Sequence, residues 1–242
     1  MQTHWFYTVW PFIGIGGAIV MVTIMLVTDT FRGNTRVSRW RDPLWLMWLA
    51  APLYWIHQFE EYSLQTLGFD YSIQNMIAQK LGYPPYPDCP IPLAFYPVVN
   101  ISLMWFGALL AAYLGRRNVL IGLSFWGLLF ANGIVHTMGG VTELTYNTGL
   151  WSALFLFIPF SVWVIYASTI RGPYSGKVVA MAYVAGALTH VFLFIGYGLY
   201  KAGMIGNTGL LVHGVVTGFM PIILAVILSR FFNLELLRPV PA

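Results

Sequence analysis

The sequence predicts an all-α fold, namely a polytopic membrane helix bundle of about seven transmembrane helices. Hydrophobic residues make up 58% of the 242 residues and charged residues only 8%, against roughly one quarter charged in soluble domains. The mean hydropathy is +0.72. Apolar runs of about 20 residues, the length that crosses a bilayer, recur between short polar loops. This composition excludes an ordinary soluble globular protein.

Seven apolar segments are long enough to span a bilayer, and each should be a helix because backbone groups in lipid need internal hydrogen bonds. The chain shows no convincing internal repeat, so residues 1–242 are predicted to form a single transmembrane domain. The predicted spans cover about residues 7–28, 44–63, 92–115, 118–138, 149–170, 178–200 and 209–230.

The basic residues predict an orientation with the N-terminus outside and the C-terminus cytoplasmic. The predicted outer side carries only Lys80 and Lys201. Lys and Arg accumulate in cytoplasmic loops, so we expect a multi-pass protein of the plasma membrane, or of the inner membrane in a prokaryote. No nucleic-acid partner is expected, because these residues serve as topology signals. The predicted inner side carries Arg32, Arg36, Arg39, Arg41, Arg116, Arg117, Arg171, Lys177, Arg230 and Arg238.

The longest connection, about residues 64–91, lies on the predicted outer side. Helical spacing in this connection predicts a short helix in the membrane interface. The loop is either a lid over a site or a passive connection, and the sequence leaves both readings open. The residues at helical spacing are Ile73, Met76, Ile77, Lys80 and Leu81.

Ionisable residues inside membrane spans are energetically costly, so each one is a candidate for a functional site. In the second span, His57, Glu60 and Glu61 stand at i, i+3 and i+4 and share one broad helical face. Three further spans contribute Asn132 and His136, His190, and His213. Each residue alone also has a structural explanation, such as an interhelical hydrogen bond for Asn132.

The depths of these residues favour one common site. With a rise of 1.5 Å per residue, they lie about 18–27 Å from the inner boundary of a core about 30 Å thick. Polar residues scattered without a function would fall at both ends of the spans. The fifth histidine, His4, is also on the predicted outer side. Glu143, Tyr146 and Asn147, in the short loop after the fourth span, could complete the cluster.

Neutral imidazoles and carboxylates together are ligands for divalent metals, with Zn and Fe the leading candidates. A metal would also compensate carboxylates that are costly to place in lipid. The set is large enough for one ion or two, and the single cysteine, Cys89, excludes a multi-Cys site. The predicted ligands are His57, Glu60, Glu61, His136, His190 and His213. The predicted supporting residues are Asn132, Glu143, Tyr183 and Tyr197.

A site near the outer leaflet favours a lipid or another hydrophobic small molecule as the substrate. In hydrolysis, Glu60 or Glu61 would accept a proton from metal-bound water; in oxidation, two iron ions would activate dioxygen. A metal-independent isomerase or cyclase would use the same two glutamates as acid–base groups, but it has no need of four histidines. A transporter would carry polar groups on to the inner side, where the spans are apolar. The oligomeric state stays open.

The run His57-Gln-Phe-Glu60-Glu61 resembles the motif of the HxxEE-domain membrane proteins. Asn132, His136 and the segment Tyr146-Asn-Thr-Gly149 are similar to later signatures of that family, over about residues 45–225. Thr148 stands where a Tyr-Asn-Pro-Gly turn would have proline. The resemblance implies a multi-span membrane protein with functional His and Glu residues. It implies little about the reaction, because the family has no assigned function.

Overall fold

The computed structural model describes residues 5–232, so His4, Glu235 and Arg238 lie outside the described residues. This part of the chain folds into eight helices and a single 3-10 turn, with no strand. The short helix α3, Ile73–Lys80, lies in the long connection after α2. The long helices are α1 (Phe6–Val27), α2 (Pro43–Ser63), α4 (Phe95–Leu114), α5 (Val119–Glu143), α6 (Leu150–Ser168), α7 (Gly176–Lys201) and α8 (Asn207–Phe231).

Within residues 5–232, six helices are long and apolar enough to cross a membrane, namely α1 and α4 to α8. They confirm the prediction of an all-helical, multi-pass membrane protein. The remaining long helix, α2, has a lower hydropathy because polar residues fill its last turns. The predicted span boundaries agree with the helices to within a few residues, except in α5. That helix continues past residue 138, so Glu143 is its last residue instead of part of a loop.

Polar residues fix where several helices begin. The Asp42 carboxylate accepts hydrogen bonds from the backbone N–H groups of Leu44 and Trp45, at 3.0 and 3.4 Å, and so caps α2. Asn118 caps α5 in the same way, and Ser72 caps α3. These side chains satisfy donors that the first helical turn leaves without a partner, so the chain turns at these positions.

Helix α2 is the most enclosed element near the site, since it packs against α1, α4, α5 and α6. Trp45, Leu46 and Ala50 in its first half are fully buried. The indole of Trp126, on α5, donates a hydrogen bond to the Leu46 carbonyl at 2.9 Å. Because α2 has neighbours on nearly every side, its polar last turns are surrounded by protein and not by lipid.

Helices α5 and α7 approach each other closely at two glycines. A Cβ on Gly186 would collide with the carbonyl oxygen of Ser124, and one on Gly127 would collide with the backbone of Tyr183. Small residues allow helix backbones in a membrane to come this close. The close packing brings the polar residues of α5 next to His190 of α7.

The two ends of the bundle differ in their polar contacts. At one end, which we call the site end, Lys80 of α3 forms an ion pair of 3.4 Å with Glu143 of α5. At the opposite end, Arg32 pairs with Asp29 at 2.7 Å, and the Arg39 guanidinium donates hydrogen bonds to the last carbonyls of α1. Helix α3 therefore lies beside the last turns of α2 and α5.

Candidate metal centre

Because α2 is enclosed, the residues of its polar last turns contact four different helices. His57 and Glu61, one helical turn apart, both contact His136 of α5. Gln58 faces α4, where its amide is hydrogen-bonded to Asn100 at 3.1 Å. Phe59 packs edge to face on Phe12 of α1, with ring centroids 5.3 Å apart. Glu60 faces the first turn of α6. The two glutamates of the motif therefore have different surroundings.

His57, Glu61 and His136 form a buried group. The Glu61 Oε1 atom lies 3.4 Å from Nε2 of His57 and 3.1 Å from Nε2 of His136. One potential ligand atom from each residue lies within 4.8 Å of the others, so the group could hold a metal ion. Ligand atoms at the corners of a tetrahedron with bonds near 2.1 Å are about 3.4 Å apart. The two distances to Glu61 fit that spacing.

A chain of hydrogen bonds fixes the protonation of His57. The Ser152 hydroxyl donates its one proton to Oε2 of Glu60, at 2.5 Å. The same hydroxyl oxygen lies 2.7 Å from Nδ1 of His57, so it accepts a hydrogen bond from the Nδ1–H group. The Nε2 atom of the neutral ring is then left with a lone pair. This buried Nε2 has no hydrogen-bond partner.

A second set of hydrogen bonds fixes His136. The Asn147 amide nitrogen donates to the backbone carbonyl of His136, at 3.0 Å, which determines how the amide is turned. The amide oxygen therefore faces Nδ1 of His136, also at 3.0 Å, and accepts its hydrogen. The His136 Nε2 atom also presents a lone pair to Glu61.

Two lone pairs and one carboxylate thus converge at the edge of the protein core, where a cation placed between them would satisfy all three acceptors. No Lys or Arg among residues 5–232 forms an ion pair with Glu61. Histidine ligands of protein metal sites are held in this way, with the second ring nitrogen donating to a fixed acceptor. The donor set and the unpartnered Nε2 of His57 therefore fit a divalent metal ion.

Glu60 organises the first turn of α6 and does not join this group. Its carboxylate accepts hydrogen bonds from the backbone N–H groups of Trp151, at 3.0 Å, and Ser152, at 2.8 Å. The Tyr146 hydroxyl donates a third, at 2.8 Å. Burial, together with the hydrogen bond to Glu60, raises the pKa of the Tyr146 phenol above its ordinary value.

The turn before α6 brings the backbone against both imidazoles. Gly149 has a φ of 93°, which favours glycine. A Cβ at this position would lie 2.5 Å from Cε1 of His57 and 2.8 Å from Cε1 of His136. The close approach of the chain is what allows Ser152 and Asn147 to reach the two rings from opposite ends of one short turn.

A cavity of about 210 Å³ borders the group on the side of α3 and α7. Glu61 and His136 form part of its wall, and aliphatic and aromatic side chains such as Leu128, Leu193 and Phe194 form most of the rest. Asn132 and His190 also line it and contact each other, with 3.4 Å between the amide nitrogen and Nε2 of the histidine. Asn132 Oδ1 and His190 Nδ1 are buried without a hydrogen-bond partner.

Several predicted site residues lie away from the three-residue group. The ring of His213 stacks on Phe192, and its Nε2–H donates to the Phe192 carbonyl at 2.9 Å. The Tyr183 hydroxyl donates to the Ser161 carbonyl at 2.6 Å. Glu143 pairs with Lys80, as described above. Tyr197 lines the cavity, on the same wall as Tyr62 and Tyr96.

Sequence analysis did not identify Ser152, although it joins Glu60 to His57. A serine at the start of an apolar span is common in membrane helices and does not by itself indicate a functional role. Its position shortly after Gly149 is the only feature of the sequence that could have drawn attention to it. Tyr54 was missed too; its hydroxyl lies 3.5 Å from the Asn132 amide and its ring stacks on Phe157. One tyrosine in an aromatic-rich span carries no distinguishing pattern.

The fold and the site define a multi-pass helical membrane protein with a buried His/Glu/His group. Residues 48–164 match the HXXEE family, whose description is a protein of unknown function with HXXEE motif. The family resemblance is therefore confirmed, over a shorter segment than the predicted 45–225. The segment contains all three residues of the group, whereas His190 and His213 lie beyond it. No curated protein and no solved structure matches the chain significantly.

Proposed function

We propose that the protein is a seven-span membrane metalloenzyme that binds one metal ion through His57, Glu61 and His136 and hydrolyses a lipid or another hydrophobic substrate. The observation that carries the proposal is the convergence of two Nε2 lone pairs on one buried carboxylate. Two histidines and a glutamate, with a fourth position open to a cavity, are one of the ligand sets found in catalytic zinc sites. The same set also suits Fe(II).

In this proposal, α2 is the seventh span. Its polar residues are tolerated inside the membrane because the other helices surround them. The N-terminus is outside, since ten basic residues then face the cytoplasm and only Lys80 and Lys201 face outward. The site end becomes the outer end. A hydrophobic substrate can reach the cavity there from the adjoining leaflet.

We propose a single ion because the Glu60 carboxylate is occupied by hydrogen bonds and is not free to bind a second one. Four hydrogen-bond donors surround its two oxygens, from Tyr146, Trp151 and Ser152, so it holds α6 and Ser152 in place. When bound, a divalent ion would polarise a substrate carbonyl and lower the pKa of its water ligand.

Different residues of the cavity wall have different proposed roles. The aliphatic side chains exclude water and hold the apolar part of the substrate. Asn132 Oδ1 and His190 Nδ1, both buried and unpartnered, offer hydrogen bonds to the reacting group on the same cavity. The His190 ring accepts a hydrogen bond from the Asn132 amide at Nε2, so its Nδ1–H is the proposed donor that orients the reacting group.

The metal content of the detergent-purified protein tests this proposal. We expect close to one equivalent of Zn or Fe in the wild type and in His190→Ala, and less than a tenth of an equivalent in His57→Ala and His136→Ala. His213→Ala is the matched control, since it removes another partly buried imidazole outside the group. A wild-type protein without metal would instead favour acid–base catalysis, with a proton held between His136 and Glu61.

A further inference from the structure

A second cavity lies at the site end, outside α3, and we call it the polar vestibule. It measures about 500 Å³ and is bounded by the connection after α2, by one face of α3 and by the turn between α5 and α6. Met76 of α3 lines both the vestibule and the apolar cavity, so this helix is the partition between them. One molecule that passes α3 could therefore have its polar end in the vestibule and its apolar end in the inner cavity.

The vestibule contains unused hydrogen-bonding groups. Gln65, Asp70 and Gln79 line it as exposed side chains without a hydrogen-bond partner within residues 5–232, so they are accessible to a ligand from outside. Thr148, a residue only 3% exposed, also lines the vestibule, and its hydroxyl is buried without a hydrogen-bond partner. A buried polar group without a partner is costly, which indicates that a ligand or water completes it.

The residues that line the vestibule indicate which kind of ligand it can bind. Amide and hydroxyl side chains predominate, and each both donates and accepts hydrogen bonds, as sugar or polyol hydroxyls require. Tyr71, Tyr83 and Tyr146 add aromatic faces on which the C–H face of a sugar ring can pack. A carboxylate such as that of Asp70 accepts from two neighbouring hydroxyls.

The charges argue against other head groups. No Lys, Arg or His lines the vestibule among the described residues, so phosphate and sulfate have no cationic partner there. The acidic Glu143 is already paired with Lys80, at 3.4 Å. Tyr71 and Tyr146 contact each other edge to face at 4.8 Å and do not form an open aromatic cage of the kind that binds quaternary ammonium groups.

We infer that the vestibule binds an uncharged polyhydroxylated head group, such as a sugar or polyol, attached to an apolar chain. The inference deepens the proposed function and rests on it for the apolar part of the substrate. The Asn147 side chain and Tyr146 connect the two sites, since they line the vestibule and also hydrogen-bond to His136 and Glu60.

Calorimetric titration of the protein in lipid nanodiscs, without detergent, tests this inference. The probes are hexyl β-D-glucoside, hexyl phosphate, hexyltrimethylammonium and free glucose. We expect saturable binding of the glucoside, at least ten-fold weaker binding of both charged amphiphiles, and competition by free glucose only at higher concentration. Glucose that binds as tightly as the glucoside would show a free sugar to be the ligand and would overturn the two-cavity arrangement.

Substitution of an exposed amide gives the second test. Gln79→Leu should weaken glucoside binding by about five-fold, the effect of one hydrogen bond. Gln74→Glu, on the same helix but outside the vestibule lining, keeps the side-chain oxygen that accepts from Ser72 and should change binding by less than about two-fold. Equal binding of the three amphiphiles, or equal loss in both variants, would overturn the inference.

Metal content is measured on the same samples. Discrimination of head groups without bound metal would contradict the metalloenzyme proposal alone. Bound metal without discrimination would contradict the vestibule alone.

Discussion

The replacement Gly149→Ala probes how closely the chain is fitted to the two imidazoles. Carbon atoms pack at about 3.5 Å or more, whereas the added Cβ would be 2.5 Å from Cε1 of His57. The His57 ring must therefore retreat by about 1 Å. Metal–imidazole bonds near 2.0 Å tolerate a deviation of about 0.2 Å. We expect the variant to lose most of its metal.

The variant should also be less stable. Overpacking costs about 1–3 kcal/mol, and an alanine held at this positive φ adds about 1–3 kcal/mol of backbone strain. Gly68→Ala is the matched control, because Gly68 has a φ of 89° but its added Cβ would meet nothing within 4 Å. That control carries the backbone strain without the contact.

The assay is metal per protein in both variants, together with thermal unfolding in the same detergent. Gly68→Ala should keep its metal and lose only the stability that corresponds to backbone strain. Equal metal content in the two alanine variants would refute the argument, since the contact with the rings would then have no effect on the ligands.

Three further replacements separate the supporting hydrogen bonds. Ser152→Ala removes the acceptor of the His57 Nδ1–H and should weaken metal affinity about 10- to 100-fold, as measured by chelator competition. Tyr146→Phe removes one of four donors to the Glu60 carboxylate and should weaken the affinity less than Ser152→Ala does. Gln58→Leu should leave the metal content unchanged. It should lower the free energy of unfolding by about 1–3 kcal/mol, because the indole N–H of Trp105 loses its acceptor. Chemical denaturation measures this free energy.

These outcomes can each be contradicted. Unchanged affinity in Ser152→Ala would mean that the serine does not orient His57. A larger loss in Tyr146→Phe than in Ser152→Ala would reverse the assigned order of importance. Loss of metal in Gln58→Leu would show that the contact of α2 with α4 cannot be separated from the site.

The membrane class and the helix boundaries could be predicted from the sequence because they depend on composition and on runs of apolar residues. The spacing of His57 and Glu61 at i, i+4 likewise places both on one face without any knowledge of the fold. His136 could be predicted as a site residue from its estimated depth in the membrane. For these residues, local periodicity and a common height were sufficient.

The division of roles between the two glutamates could not be predicted. Adjacent residues on a helix point about 100° apart, so which one faces α5 depends on how α2 is rotated in the bundle. That rotation is set by tertiary packing. The place of His213 also depends on rotation, since the ring turns toward the Phe192 carbonyl, beside Gly196, instead of toward Glu61. A depth in the membrane similar to that of Glu61 therefore did not bring His213 into contact with it.

X-ray absorption spectroscopy of the metal-loaded protein tests the central proposal most directly. We expect two imidazole nitrogens and a carboxylate oxygen at about 2.0–2.2 Å, and one imidazole fewer in His136→Ala if that variant is loaded at high metal concentration. An identical imidazole contribution in the wild type and in His136→Ala, or a protein that takes up no metal, would contradict the proposed centre.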